Sequence, residues 1–66
     1  MDLDPAQLSS LTSSLGDLAS RISGMATGFQ GSPREDVAAD LFDVERHLNA
    51  AHRRMRSLLE RVERSR

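Results

Sequence analysis

Apolar residues recur at alternating intervals of three and four through two long segments of this 66-residue chain. The first segment carries Leu8, Leu11, Leu15, Leu18, Ile22, Met25 and Phe29, and the second carries Val37, Leu41, Val44, Leu48, Ala51, Met55, Leu58 and Val62. This spacing places one apolar stripe on each of two α-helices, whereas strands would require a period of two. The pattern therefore predicts an all-α protein.

The first helix is expected at about 5–29. Asp4 is a good N-cap, and Pro5 suits the first helical position. Leu3 and Leu8 have the spacing of a hydrophobic staple, in which two apolar side chains pack across the start of a helix.

The second helix is expected at about 33–64, after a turn at 28–32. Ser32 is the expected N-cap, Pro33 the first helical residue, and Glu35 the second half of a capping box. The glycines of the turn tolerate left-handed backbone angles, so the chain can reverse there.

A short connection between two helices favours an antiparallel hairpin. Because the second helix is longer, we expect its C-terminal end to extend beyond the first helix by about two turns. That overhang would carry Leu58, Leu59 and Val62.

The small size of the chain predicts association. A domain of this length has a thin core, and the absence of cysteine removes disulfides as a supplement. A lone hairpin would leave about half of each stripe exposed, so two hairpins are expected to form a four-helix bundle. Phe42 and Leu59 lie off the second stripe and are candidate partner-facing residues.

Small residues occupy the outer face of the first helix, namely Ser9, Ser13, Gly16, Ser20, Ser23, Gly24 and Thr27. Such residues are weak helix formers, so packing must stabilise this helix. They would also allow another helix to approach closely. A merely solvated face is the alternative.

The sequence contains no catalytic or metal-binding motif. His47 and His52 are five residues apart and do not share a helix face, and His47 is expected to pair with Asp43. We therefore predict a protein that is not an enzyme, with no cofactor, no metal site and no small-molecule substrate.

Charge is divided unevenly along the chain. Residues 1–45 contain eight acidic residues and two Arg, whereas residues 46–66 contain seven Arg and two Glu. The arginines that could contact an acidic partner are Arg53, Arg54, Arg56, Arg61 and Arg64, with Arg66 as a further phosphate contact if the partner is nucleic acid. Glu60 and Glu63 interrupt this run and no aromatic residue lies within it, so nucleic-acid binding is the less favoured alternative.

The turn residues Phe29 and Gly31 give the chain a likeness to a known family. With two helices joined at "GFQGSP", the chain resembles the WXG100, or ESAT-6-like, proteins, with Phe29 and Gly31 at the Trp and Gly positions. The resemblance implies a dimeric helical hairpin exported by type VII secretion. The chain differs from the family in its shorter length, in having Phe for Trp, and in lacking the Tyr of the C-terminal motif.

Our interpretation of the sequence is a protein-protein interaction module that acts as a small adaptor, regulator or accessory subunit. Its expected partners are a second copy and a larger protein. The N-terminus has no basic, apolar leader and no segment has transmembrane length, so we expect a cytoplasmic protein without membrane contact, with secretion independent of Sec as the alternative. The exclusive use of Arg over Lys is typical of GC-rich bacterial genomes.

Overall fold

A computed structural model of the chain describes residues 4–65. Two helices, α1 (Pro5–Phe29) and α2 (Glu35–Arg64), pack against each other as an antiparallel hairpin measuring 51 × 17 × 14 Å. The predicted two-helix hairpin is thus confirmed. The predictions for Leu3 and Arg66 lie outside the described residues. Within residues 4–65, neither helix has the length and apolarity needed to cross a bilayer.

α1 begins where the sequence predicts. The Asp4 carboxylate accepts a hydrogen bond from the N–H of Ala6 at 3.0 Å, and the Asp4 carbonyl accepts from the N–H of Leu8 at 3.0 Å. Pro5 occupies the first helical position, where its missing N–H costs nothing.

α2 begins two residues later than predicted. Its N-cap is Arg34, whose side chain makes no capping hydrogen bond. The Ser32 hydroxyl instead donates to the Phe29 carbonyl at 2.6 Å and accepts from the N–H of Arg34 at 3.1 Å. The Glu35 carboxylate accepts from the N–H of Gly31 at 3.0 Å. Both side chains therefore stabilise the turn between the helices.

Gly31 is the residue at which the chain reverses. Its φ is +75°, a left-handed conformation that L side chains rarely adopt. Phe29, the last residue of α1, is half-buried just before it. The turn thus combines a glycine required by the backbone with an apolar residue that closes the end of the hairpin.

The core between the helices consists of small residues. The buried residues among those described are Thr12, Ala19, Ala26, Ala38 and Val62. Three of them, Thr12, Ala19 and Ala26, recur every seven residues along α1, each four residues after a half-buried Leu or Ile of the predicted stripe. α1 is therefore rotated so that the small positions, as well as one edge of the stripe, face α2.

The two helices end nearly level at the termini of the hairpin. A Cβ at Gly16 would lie 2.9 Å from Nε2 of His52, which places these residues opposite each other. Gly16 therefore faces α2, and its expected place on the outer face of α1 is wrong. Eleven residues of α1 precede Gly16, and twelve residues of α2 follow His52. The predicted overhang is wrong: Val62 is buried, and the additional length of α2 lies at the turn end.

Candidate interaction surface

Five large apolar side chains of the predicted stripes remain exposed on the hairpin. Their exposed fractions are 54% for Leu11, 47% for Leu18, 58% for Met25, 44% for Val44 and 38% for Leu58. Leu11, Leu18 and Met25 form a column on α1 with a spacing of seven residues. Val44 and Leu58 are fourteen residues apart on α2, and exposed Ala51 lies midway between them in the same column. The partly exposed stripes expected from the sequence are thus present. We call Leu11, Leu18, Met25, Val44, Ala51 and Leu58 the apolar face.

Both columns of the apolar face lie on one side of the hairpin. In each helix, every residue of the column follows an inward-packing stripe residue by three positions. Each residue turns by about 100°, so three positions fall about 60° short of a full turn and point to one side of the inward direction. Positions four residues after those inward residues turn the opposite way. Thr12 of α1 and Leu59 of α2 are such positions, and they line one shallow groove together. The columns at the three-residue offset therefore share the other side.

The remaining stripe residues face the partner helix or its edges. Half-buried positions from the predicted stripes are Leu8, Leu15, Ile22, Phe29, Val37, Leu41, Leu48 and Met55, and Val62 is buried. One half of each stripe thus builds the hairpin, and the other half forms the apolar face.

Phe42 and Leu59 are covered by the hairpin itself. Both are half-buried, and Leu59 lines the groove with Ser9, Thr12 and His52. α2 is rotated toward the side on which they lie, so the hairpin covers them in part, and their role as partner-facing residues stays a prediction. The side chains of the apolar face are more exposed than these two residues and are the better candidates for partner contact.

The hairpin exposes more surface than a compact protein of its mass. Its accessible area is 5076 Å². A compact 7.3 kDa monomer is expected to expose roughly 4200 Å². The excess of about 900 Å² reflects the elongated shape of the hairpin, which measures 51 × 17 × 14 Å.

Charge is distributed along the long axis of the hairpin. Five of the seven acidic residues of α2 lie toward the turn end, and the other two, Glu60 and Glu63, lie toward the termini; the five are Glu35, Asp36, Asp40, Asp43 and Glu45. The arginines Arg53, Arg54, Arg56, Arg61 and Arg64 lie toward the termini. α1 contributes only Asp17 and Arg21, which pair with each other at 3.8 Å. The turn end is therefore acidic and the terminal end basic.

Three of the arginines form an exposed basic surface on α2. Arg53, Arg54 and Arg61 line a shallow depression together with Ala50 and Ser57. The ion pairs formed within residues 4–65 involve other arginines, namely Arg21, Arg34 and Arg46. This basic surface is available to an acidic ligand.

Each of the two histidines contacts another part of the hairpin. Nδ1 of His47 lies 2.7 Å from the backbone carbonyl of Asp43, so the expected pairing is with the main chain. The Asp43 carboxylate pairs with Arg46 instead. His52 is half-buried against Gly16. Within residues 4–65, no three His, Asp or Glu side chains are grouped closely enough to hold a metal ion.

One carboxyl group of the turn end has a shifted pKa. The guanidinium of Arg34 donates to the Asp36 carboxylate, with Nε 3.2 Å from Oδ1 and Nη2 3.3 Å from Oδ2. These charged hydrogen bonds hold the pKa of Asp36 below its usual value. Both side chains of the pair are exposed, so the pair stabilises the start of α2 and does not belong to the packing between the helices.

The chain was compared with known protein families, with curated proteins and with solved structures. It matches none of them. No family model and no solved structure supports the resemblance to WXG100 proteins, which rests on the sequence pattern around Phe29 and Gly31. Functional inference therefore rests on the surface of the hairpin.

The stripe pattern alone did not indicate which packing positions would be buried. The apolar stripe of α1 does not contain the buried residues Thr12, Ala19 and Ala26, because small residues beside Leu and Ile positions do not stand out in an apolar pattern. Their recurrence every seven residues, four positions after Leu8, Leu15 and Ile22, was the available signal. Small residues at such positions allow two helices to approach closely.

Proposed function

We propose that this protein is a non-enzymatic interaction module that self-associates through its apolar face into a four-helix bundle. The observation that carries the proposal is the contrast between a core of small residues and five large apolar side chains left exposed on one side. In the proposed bundle, two hairpins bury their apolar faces against each other, and the half of each stripe that the hairpin leaves open becomes core.

Burial of the apolar face would supply the main favourable free energy for this association. Fully burying a Val, Leu or Met side chain contributes about 1.5–3 kcal/mol. Because the five side chains are 38–58% exposed, roughly half of that contribution is still available from each. Summed over two copies, this gain is roughly 7–15 kcal/mol, of the same order as the cost of association, which is about 4–15 kcal/mol.

Arginines on the outer surface of the proposed bundle supply a contact with a second protein. Arg53, Arg54 and Arg61 line a depression on the exposed surface of α2, and Arg61 lies at the edge of the apolar face. We assign to Arg53 and Arg54 the binding of an acidic region on a larger protein, for which the bundle acts as an adaptor, regulator or accessory subunit. Charged surfaces of this kind guide association and determine partner choice.

Sedimentation equilibrium over a hundredfold concentration range tests the self-association. The expected mass is twice the 7.3 kDa of one chain. Leu18→Asp places a charge in the centre of the apolar face and is expected to yield monomers. The matched control Ser20→Asp adds the same charge at an exposed α1 position outside this face and should remain dimeric. A wild-type protein that is monomeric and folded throughout the range would overturn the proposal.

Nucleic-acid binding is a second candidate, favoured by the clustering of Arg53, Arg54 and Arg61 in one depression. Contacts between arginines and phosphates release counterions, so the affinity should fall steeply between 50 and 200 mM salt. Fluorescence anisotropy with a 20-base-pair duplex measures this dependence. A weak affinity that does not change with salt, or that persists in the triple variant Arg53→Ser, Arg54→Ser, Arg61→Ser, would remove this candidate.

A further inference from the structure

We infer that the second copy docks antiparallel on the apolar face, with the turn end of one hairpin over the terminal end of the other. This inference rests on the proposed self-association and specifies its geometry. Two face-to-face arrangements with twofold symmetry are available. In the antiparallel arrangement α1 lies on α1 and α2 on α2, whereas in the parallel arrangement the turn ends coincide and α1 lies on α2.

The positions of the apolar residues are self-complementary in the antiparallel arrangement. Leu18 is the middle residue of its column, seven residues from both Leu11 and Met25. Ala51 is likewise seven residues from both Val44 and Leu58. A twofold axis at the height of Leu18 and Ala51 brings each of these residues onto the same residue of the second copy. It also brings Leu11 onto Met25 of the second copy, and Val44 onto Leu58 of the second copy.

The two middle residues lie at nearly the same height, as one shared axis requires. Gly16 lies opposite His52 in the hairpin. Because the helices are antiparallel, Leu18, two residues beyond Gly16, lies opposite the position two residues before His52, one residue from Ala51. Leu18 and Ala51 of one copy therefore meet Leu18 and Ala51 of the second copy together.

Charge along the rim selects the antiparallel arrangement. Asp40 and Arg61 are both exposed on the outer edge of the α2 column, Asp40 four residues before Val44 and Arg61 three residues after Leu58. In the antiparallel arrangement, Asp40 of each copy comes opposite Arg61 of the other, so two ion pairs form. The acidic turn ends then lie over the basic terminal ends.

The parallel arrangement lacks these pairs. It places α2 over α1 of the second copy, so Asp40 comes opposite the region of Gly28 and Arg61 opposite the region of Gln7. It also brings the two acidic turn ends together and the two arginine clusters together. Like charges facing each other across an interface disfavour that arrangement.

Single-cysteine variants test the geometry directly, because the natural chain has no cysteine. Leu18→Cys alone and Ala51→Cys alone are each expected to form a covalent dimer under mild oxidation, seen on a non-reducing gel. The control Ser20→Cys lies outside the apolar face and should remain uncrosslinked. Crosslinking only in a mixture of the Leu18→Cys and Ala51→Cys chains would indicate the parallel arrangement and overturn the inference.

A charge exchange tests the rim pairs independently. Asp40→Arg and Arg61→Asp should each raise the dissociation constant of the dimer at least tenfold, because each places like charges at both rim positions. Mixing these two variants should restore wild-type affinity, since both pairs in the mixed dimer then join opposite charges. Asp17→Arg is a control with the same charge change as Asp40→Arg, but on the outer surface of α1.

The outcomes separate the two levels of the proposal. A dimer in which the mixed variants associate no better than either variant alone retains the proposed self-association but overturns the antiparallel geometry. A wild-type protein that stays monomeric overturns both. Crosslinking of Leu18→Cys together with recovery in the mixture supports both.

Discussion

Gly16 of α1 lies directly against the imidazole of His52 of α2: a Cβ at position 16 would be 2.9 Å from Nε2 and 3.0 Å from Cε1 of the ring. The close approach of the two helices at this level depends on the missing side chain. A glycine in the middle of a helix otherwise destabilises it by roughly 1 kcal/mol relative to alanine.

Gly16→Ala should therefore gain less stability than an alanine at an unconstrained glycine. The comparison is Gly24→Ala, because a Cβ at Gly24 meets no atom within 4 Å. We expect Gly24→Ala to raise the free energy of unfolding by about 1 kcal/mol, and Gly16→Ala to fall short of it by about 1 kcal/mol because the His52 ring must move. Thermal denaturation followed by circular dichroism measures both.

A second substitution identifies the cause of that difference. Combining Gly16→Ala with His52→Ala removes the ring that the new methyl group meets, so the gain from helix propensity should reappear relative to His52→Ala alone. Equal gains for Gly16→Ala and Gly24→Ala in the wild-type background would show that the two helices do not approach closely at Gly16.

Gly31→Ala should destabilise the hairpin by about 1–2 kcal/mol, because an L residue would adopt a left-handed conformation at φ +75°. Chemical denaturation gives the value. Gly28→Ala is the matched control, since Gly28 lies inside α1, has no atom within 4 Å of the added Cβ and needs no positive φ. A loss at position 28 equal to that at position 31 would contradict this account of the turn.

Leu58 and Leu59 are adjacent in sequence but are expected to act differently. Leu59→Ala removes packing between α1 and α2, so it should lower the melting temperature at every protein concentration, with a loss at the lower end of the 2–5 kcal/mol range because Leu59 is half-buried. Leu58→Ala removes part of the apolar face and should mainly weaken association, raising the dissociation constant at least tenfold, or about 1.4 kcal/mol.

Melting temperatures measured over a hundredfold concentration series distinguish the two variants. The melting temperature of an associating protein rises with concentration by mass action. Leu58→Ala should require more protein to reach the plateau, whereas Leu59→Ala should shift the whole curve downward. Identical behaviour of the two variants would contradict the division of the α2 stripe into an inner and an outer half.

Asp36→Asn should reduce stability at neutral pH but not in acid. The hydrogen bonds from Arg34 lower the pKa of Asp36 in the folded state, so the folded state holds its proton less tightly than the unfolded state does. The resulting stabilisation is present above the unfolded pKa of about 3.9 and is lost as the pH falls through the lower folded value.

Thermal melts of wild type and Asp36→Asn from pH 2 to pH 7 measure this difference. We expect the two curves to converge at the acid end and to separate above about pH 4. The separation should shrink in 1 M salt because the pair is exposed. Arg34→Gln should reproduce the same pH dependence, and a separation that persists at pH 2 would contradict the assignment.

Several features of the fold could be predicted from the sequence. The alternating intervals between Leu8 and Phe29 determine a helix, as do those between Val37 and Val62, because no other backbone conformation brings such residues onto one side. Asp4 with Pro5 marks the start of α1. These signals are local, so they act whatever the rest of the chain does.

The rotation of each helix about its own axis was decided only by the tertiary structure. A stripe as wide as that on α1 can face its partner along either edge, and the two choices differ by about 100°. Thr12, Ala19 and Ala26 lie at one edge and allow close approach, so that edge is buried and Leu11, Leu18 and Met25 are left outside. The rotation of α1 depends on how closely its surface packs against the surface of α2. This packing therefore determines which residues form the apolar face.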